Sequence, residues 1–340
     1  MDEIGHPLAR RALIKGAGLA LTAGAAATFA VGSAPAAESP EIWSGEYWTK
    51  KGDVSLYLYR KRAGAPTPGA APLPVLFLVH GSSISSRPSF DLTVPGRGDY
   101  SMMDAFARWG FDVWTMDHEN YGRSSRSSGN SDIASGVEDL KAATDVVTRE
   151  TGRTKMHFCG ESSGALRAGA FAQVRPERVD RLVFSAPTYK GTGSPTLAKR
   201  AEQVEYFRTH TTRLRDRAMI RSITTRDKAG TSDPAVAEAL ADAELQFGDQ
   251  APTGTYLDMT ANLPVVDPTR VQAPVLLVRG EHDGIATIDD LFDFYRQLPN
   301  GDRQFAIIPG AAHSLILAIN RELFWHVTRA FLTMPPGVAT

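Results

Sequence analysis

The sequence predicts an α/β protein: a mostly parallel eight-stranded sheet with helices on both faces and an inserted helical segment. Three observations carry that expectation. Six short apolar runs of the kind that fill buried parallel strands alternate with segments of helical periodicity. Ahead of them stand two strand-like segments, Ser44 to Lys50 and Val54 to Arg60, joined by a Lys-Gly-Asp turn that reads as an antiparallel hairpin. Between the fourth and fifth runs lie nearly ninety residues with helical patterns and no clear strand run.

Composition narrows the classes of function. Of 340 residues, 42% are apolar and 22% charged, an ordinary globular balance that rules out global disorder. Thirty-seven basic against thirty-eight acidic side chains give a net charge of −1, so no whole-protein field attracts nucleic acid or an anionic membrane. Cys159 is the single cysteine, which excludes an intrachain disulfide and a multi-cysteine metal site.

The elements follow in order. Arg10, Arg11 and Lys15 precede an uncharged Ala/Gly/Leu/Thr stretch, Gly16 to Gly32, and then Ala34-Pro35-Ala36. Residues 1–37 resemble a twin-arginine export signal with a small-residue cleavage site, which implies a periplasmic or secreted protein. The competing reading is an uncleaved anchor, but the apolar stretch is shorter than the roughly 20 residues a span needs. Removing the leader leaves 34 basic against 36 acidic residues and a charge of −2. Residues 38–185 form the first part of the core, 186–273 the helical insertion and 274–340 the second part. The apolar runs are Val75 to Val79, Asp112 to Met116, Met156 to Cys159, Arg181 to Phe184, Val275 to Val278 and Gln304 to Ile308. Helices are expected at Ser101 to Trp109, Asp132 to Glu150, Ser163 to Val174, Ile288 to Gln297 and Arg321 to Leu332. In the insertion they are expected at Pro195 to Thr209, Arg213 to Arg226 and Asp233 to Phe247, the last opened by an Asp cap followed by Pro.

The chemistry gathers at strand ends. Gly160-Glu161-Ser162-Ser163-Gly164 follows one apolar run and opens a helix, the strand–turn–helix setting in which G-x-S-x-G exposes a nucleophilic serine. A serine hydroxyl needs a base, and the base needs a carboxylate to steady it. The last two strands lead into turns that offer Asp283 and His313. His282 is a rival base and Glu281 a rival acid, although adjacent side chains on a turn usually diverge. His80-Gly81-Ser82 ends the first parallel strand, where the Ser82 N–H can join that of Ser163 as an oxyanion hole. His80 itself reads as a buried histidine bonded to backbone. His118-Glu119 lacks the second histidine of a zinc motif, and no metal or organic cofactor is expected.

Taken together, the His80-Gly81 turn, the Asp117-to-Ser124 loop, the Gly160-to-Gly164 elbow, the Gly280-to-Gly284 turn and the His313 loop resemble the α/β-hydrolase superfamily from about Glu41 to Leu332. The resemblance implies a helical cap after the sixth strand, with Ser162 as nucleophile, His313 as general base and Asp283 as orienting acid. Two departures stand out: Asn120 where relatives often carry glycine, and a long Ser/Pro/Gly-rich run from Ser82 to Tyr100, which reads equally as a pocket mouth or a surface loop. Relatives that use aspartate at the elbow hydrolyse epoxides or carbon–halogen bonds. Serine there implies acyl transfer, with ester hydrolysis of a small or mid-sized molecule foremost. Cleavage of an amide, peptide, lactone or carbon–carbon bond is the alternative, and a non-catalytic binding protein a third reading. For substrate contacts the sequence offers Glu161, which also reads as a helix cap, and Tyr189, Tyr206, Phe207, Phe247 and Tyr256, aromatics that equally suit packing. Oligomeric state is not legible.

Overall fold

The computed structural model describes residues 41–335, so the leader, 1–37, lies outside the described residues. Eight strands form one sheet: β1 (Ile42–Lys51), β2 (Val54–Ala63), β3 (Val75–Val79), β4 (Asp112–Met116), β5 (Met156–Glu161), β6 (Val179–Ser185), β7 (Val275–Gly280) and β8 (Arg303–Ile308). Their order is β1-β2-β4-β3-β5-β6-β7-β8. β2 pairs antiparallel with both β1 and β4, and every other pairing is parallel, so β2 alone runs against the rest.

Alternate residues of each strand feed two separate cores, as the period-two pleat requires. In β3, Leu76 and Leu78 enter the core with helices Met102–Arg108 and Arg321–Leu332. Val75, Phe77 and Val79 enter the opposite core, beneath helices Ile133–Thr151, Ser163–Val174 and Ile288–Gln297. The hairpin is locked to the sheet by a buried fork: Arg60 donates from Nε to Asp112 Oδ1 at 2.8 Å and from Nη2 to Oδ2 at 2.5 Å. Two expected helices begin one residue late because Ser101 and Asp132 serve as caps, accepting the N–H of Asp104 and Ser135. No helix among the described residues is long and apolar enough to cross a membrane.

Between β6 and β7 the chain forms helices Pro195–Ala201, Val204–Thr209, Arg217–Thr225, Pro234–Leu245 and Gly254–Ala261. The sequence reading is corrected here in three ways. The helix expected over 195–209 is two helices broken at Glu202 and Gln203. The next helix starts only at Arg217, because Asp216 caps it by accepting the Met219 N–H at 2.8 Å. Thr212–Leu214 and Gln250–Pro252 pair as an antiparallel ribbon, too short to leave a periodic signal. The run from Ser82 to Tyr100 is not irregular throughout: it holds helix Ser86–Phe90 and an Asp91–Thr93/Asp99–Ser101 ribbon.

Buried charges tie the β6–β7 segment to the sheet domain. Asp290 accepts the backbone N–H groups of Tyr189, Lys190, Gly191 and Thr192 at 2.8–3.1 Å, fixing the chain as it leaves β6. Arg215 donates to the Ser83 carbonyl at 2.8 Å and pairs with Glu244, which accepts from both the N–H and the hydroxyl of Ser85. Removing one member of such a group strands the other without compensation. Glu244→Ala is therefore expected to lower the unfolding free energy by about 3–5 kcal/mol in urea titrations; a loss of under about 1 kcal/mol would mean Arg215 is not held as described.

Candidate active site

Two bare glycines and one strained serine make the turn after β5. A Cβ on Gly164 would stand 2.1 Å from the Val79 carbonyl oxygen and 2.6 Å from that of His80, so any side chain would push helix Ser163–Val174 off β3. On Gly160 a Cβ would meet the Gly164 carbonyl oxygen at 2.4 Å. Between them Ser162 holds φ +53° and ψ −120°, a left-handed conformation rare for a residue with a side chain. Its N–H is secured by the Ser185 carbonyl of β6 at 2.8 Å.

The turn directs the hydroxyl to a histidine from the other side of the cleft. Ser162 Oγ lies 3.0 Å from His313 Nε2, and His313 Nδ1 lies 2.9 and 3.1 Å from the two carboxylate oxygens of Asp283. Asp283 Oδ1 also accepts the N–H groups of Ile285 and Ala286 at 2.8 and 3.0 Å. Arg279 braces the same turn, donating to the carbonyls of Ala286 and Asp283. A Cβ on Gly280 would lie 2.2 Å from the Ala312 carbonyl oxygen, so the acid turn and the histidine loop touch backbone to backbone. With Nδ1–H donated to Asp283, Nε2 faces the serine as an acceptor; this arrangement can take the hydroxyl proton and hold it as an imidazolium. The rival pair points elsewhere: His282 Nε2 sits 3.8 Å from Glu281, and Glu281 accepts the Gly310 N–H at 2.8 Å.

Ser82 and Ser163 meet beside the elbow. Their hydroxyls are 2.9 Å apart, and Ser82 Oγ bonds Thr255 Oγ1 at 2.7 Å. Ser163 opens its helix, so its N–H has no intrahelical acceptor. A Cβ on Gly81 would sit 3.3 Å from Ser162 Cβ, which shows how closely the turn carrying Ser82 approaches the serine. His80 is fully buried: its ring bonds the Gly81 carbonyl through Nδ1 and accepts the His118 N–H through Nε2. Burial, with His118 nearby, drives its pKa well below the usual value, so it stays neutral. Asn120 adopts φ +68° and uses its amide to bond Ser127 and Gly129, which explains an asparagine in a place that suits glycine.

A cavity of about 650 Å³ covers these groups. Ser162, His313, Glu161, Gly81, Ser82 and Ser83 line its floor, and Arg200, Phe207, Arg213 and Tyr256 come from the β6–β7 segment. Three expected contacts are corrected. Tyr189 is buried in the core against Phe294, Tyr206 is 40% exposed and stacks on His210, and Phe247 lines a separate cavity of about 560 Å³. Aromatic spacing alone does not distinguish a residue of this cavity from one packed in the core, exposed on the surface or set in another cavity. The polar residues Arg200 and Thr255 on helices, and Arg213 on the Thr212–Leu214 ribbon, leave no pattern in the sequence, because an isolated cation or hydroxyl has no periodicity of its own.

Residues 94–319 match the model of the serine aminopeptidase, S33 family (Hydrolase_4), and the chain belongs to this family of the α/β-hydrolase superfamily. Several solved structures share the fold. A bromoperoxidase from Bacillus anthracis is 16% identical with a TM-score of 0.63, covering 85% of this chain and 100% of its own. A thermophilic esterase from Thermogutta terrifontis is 19% identical with a TM-score of 0.60, over 85% and 98%. A carboxylesterase from Bacillus subtilis is 20% identical with a TM-score of 0.57, over 86% and 92%. At such identities the likeness is one of fold.

Glu161, half-buried beside Ser162, is the titrating neighbour of the site. Burial pushes its pKa up to about 7; His313 opposes the shift and Asp283 adds to it. Below pH 7 the carboxyl is neutral, and above it the carboxylate puts a negative charge beside the site, which stabilises the positive charge developing as the Ser162 proton is transferred. Reaction of Ser162 with a fluorophosphonate is expected to gain a few-fold in rate as pH rises through 7, and Glu161→Gln is expected to lose that step. An unchanged pH–rate profile in the variant would contradict this.

Proposed function

We propose that this protein is an exported serine hydrolase that cleaves a carboxylic ester of a small or mid-sized organic molecule. The observation that carries the reading is the hydrogen-bonded chain Ser162–His313–Asp283, with 3.0 Å from serine to histidine and 2.9 Å from histidine to acid. In this reading His313 Nε2 takes the Ser162 proton as Oγ bonds the ester carbonyl carbon. The resulting oxyanion is held by the N–H groups of Ser82 and Ser163. His313 then gives its proton to the departing alkoxide, leaving an acyl-enzyme. Water, deprotonated by His313, releases the carboxylic acid and restores the serine. The sequence requires neither metal nor organic cofactor. Residues 186–273 act as a cap that shapes the pocket, and residues 1–37 carry the folded enzyme out through the twin-arginine route.

The family's description favours a second reading, removal of an amino-terminal residue from a peptide. Such a substrate presents an ammonium group, which needs an uncompensated carboxylate. Here the cavity wall carries Lys199, Arg200, Arg213 and Arg226 against Glu161 and Asp227, and Asp227 is paired with Arg226 at 2.8 Å. That balance supports the ester reading.

A fluorophosphonate probe is expected to label Ser162 alone, and Ser162→Ala is expected to lower hydrolysis of short-chain para-nitrophenyl esters by about 10⁴-fold or more. Labelling elsewhere, or activity surviving in Ser162→Ala, would overturn the reading. For export, a reporter fused behind residues 1–37 should leave the cytoplasm of a bacterium with a twin-arginine pathway and stay inside when Arg10 and Arg11 become lysine; export indifferent to that change would exclude the route.

A further inference from the structure

The charges in the cavity wall are not matched by the protein itself. Arg226 has Asp227, but Arg200, Arg213 and Lys199 have no carboxylate within ion-pair distance among the described residues. Arg213 spends one donor on the Tyr256 hydroxyl, at 3.0 Å. The guanidinium groups of Arg200 and Arg213 sit 4.8 and 4.6 Å from the centre of the Tyr256 ring. The ring stabilises two like charges that otherwise repel, and it leaves most of their N–H donors unused. Tyr256 is in turn fixed by its bond to Ser83, two residues from Gly81, so this basic wall and the turn flanking Ser162 are one connected unit.

Burial, with Arg226 and Arg213 nearby, lowers the pKa of Arg200, the mark of a cation whose charge is incompletely balanced. Burial raises the Tyr256 hydroxyl, yet Arg213 and Arg200 bring it below its usual value. Both effects follow from two cations gathered on one ring with no ion-paired carboxylate beside them among the described residues. The cluster faces the same 650 Å³ cavity as Ser162, so one small molecule can reach both.

We propose that Arg200 and Arg213, on the Tyr256 wall, select substrates that carry a carboxylate at the end remote from the bond cleaved at Ser162. The inference rests on the ester-hydrolase reading and adds the substrate class: half-esters of dicarboxylic acids and other anionic acyl compounds. A guanidinium fork matches the planar carboxylate with two parallel hydrogen bonds, which a neutral chain end cannot supply. Glu161, near the serine, keeps the same carboxylate away from the reacting end by like-charge repulsion and so sets the substrate's orientation.

The test compares two para-nitrophenyl esters with acyl chains of equal length, the hexanoate and the mono-ester of adipate, on the full chain. The expected ratio of kcat/KM, adipate over hexanoate, is about tenfold or more. The Arg200 side chain makes no hydrogen bond among the described residues, and its carbonyl bond to the Gln203 N–H survives substitution, so Arg200→Met should fold. It is expected to cut the ratio about tenfold, chiefly through KM, with Arg200→Lys intermediate. A ratio below one, or a ratio unaffected by Arg200→Met, overturns the proposal. Should neither ester be turned over, the hydrolase reading falls, and calorimetric binding of the adipate dianion decides the anion site by itself: about tenfold weaker binding to Arg200→Met supports it, and equal binding overturns it.

Discussion

Everything in the active-site region depends on how closely helix Ser163–Val174 lies against the end of β3. At Gly164 the helix backbone meets the Val79 and His80 carbonyls with no room for one carbon atom. That contact fixes where the helix begins, and hence the tight, left-handed turn at Ser162. The strain in such a turn is of order 1–3 kcal/mol and persists only where surrounding structure over-determines it. Here the Ser162 N–H bond to β6 and the burial of both flanking strands supply that determination.

The same device recurs across the cleft. Gly280 lets the acid turn touch the Ala312 carbonyl, so Asp283 and His313 are spaced by main chain rather than by flexible side chains. Two backbone contacts, one on each side, set the distances from serine to histidine and histidine to acid. The β6–β7 segment is attached differently, through buried charge: Asp290 gathers four N–H groups, and Arg215 with Glu244 bridges to Ser83 and Ser85. Rigid apposition suits reacting groups, whereas a segment that shapes a pocket needs only a few strong anchors.

Much of this was legible in the sequence, for identifiable reasons. Buried parallel strands announce themselves as short apolar runs, and the helices Ser163–Val174, Ile288–Gln297 and Arg321–Leu332 have the bounds that periodicity suggests. Ser162, Asp283 and His313 were found because each stands where a strand ends. The ribbons at Thr212–Leu214 and Asp91–Thr93 were missed, since three residues cannot display a period. Tyr189 and Tyr206 suit a pocket as well as a core in the sequence because an aromatic spacing does not say which face of the structure it meets. Arg200 and Arg213 were missed for a related reason: they lie thirteen positions apart in sequence, and only Tyr256 between them makes them one group.

The central claim is that the elbow holds Ser162 between the His313 ring and the Ser82 and Ser163 amides. A crystal structure of the fluorophosphonate-treated protein tests it most directly. The account predicts the phosphonyl oxygen at about 2.7–3.1 Å from both amide nitrogens, with phosphorus bonded to Ser162 Oγ. An oxygen turned toward the cavity or toward Glu161, with neither amide in reach, would contradict it.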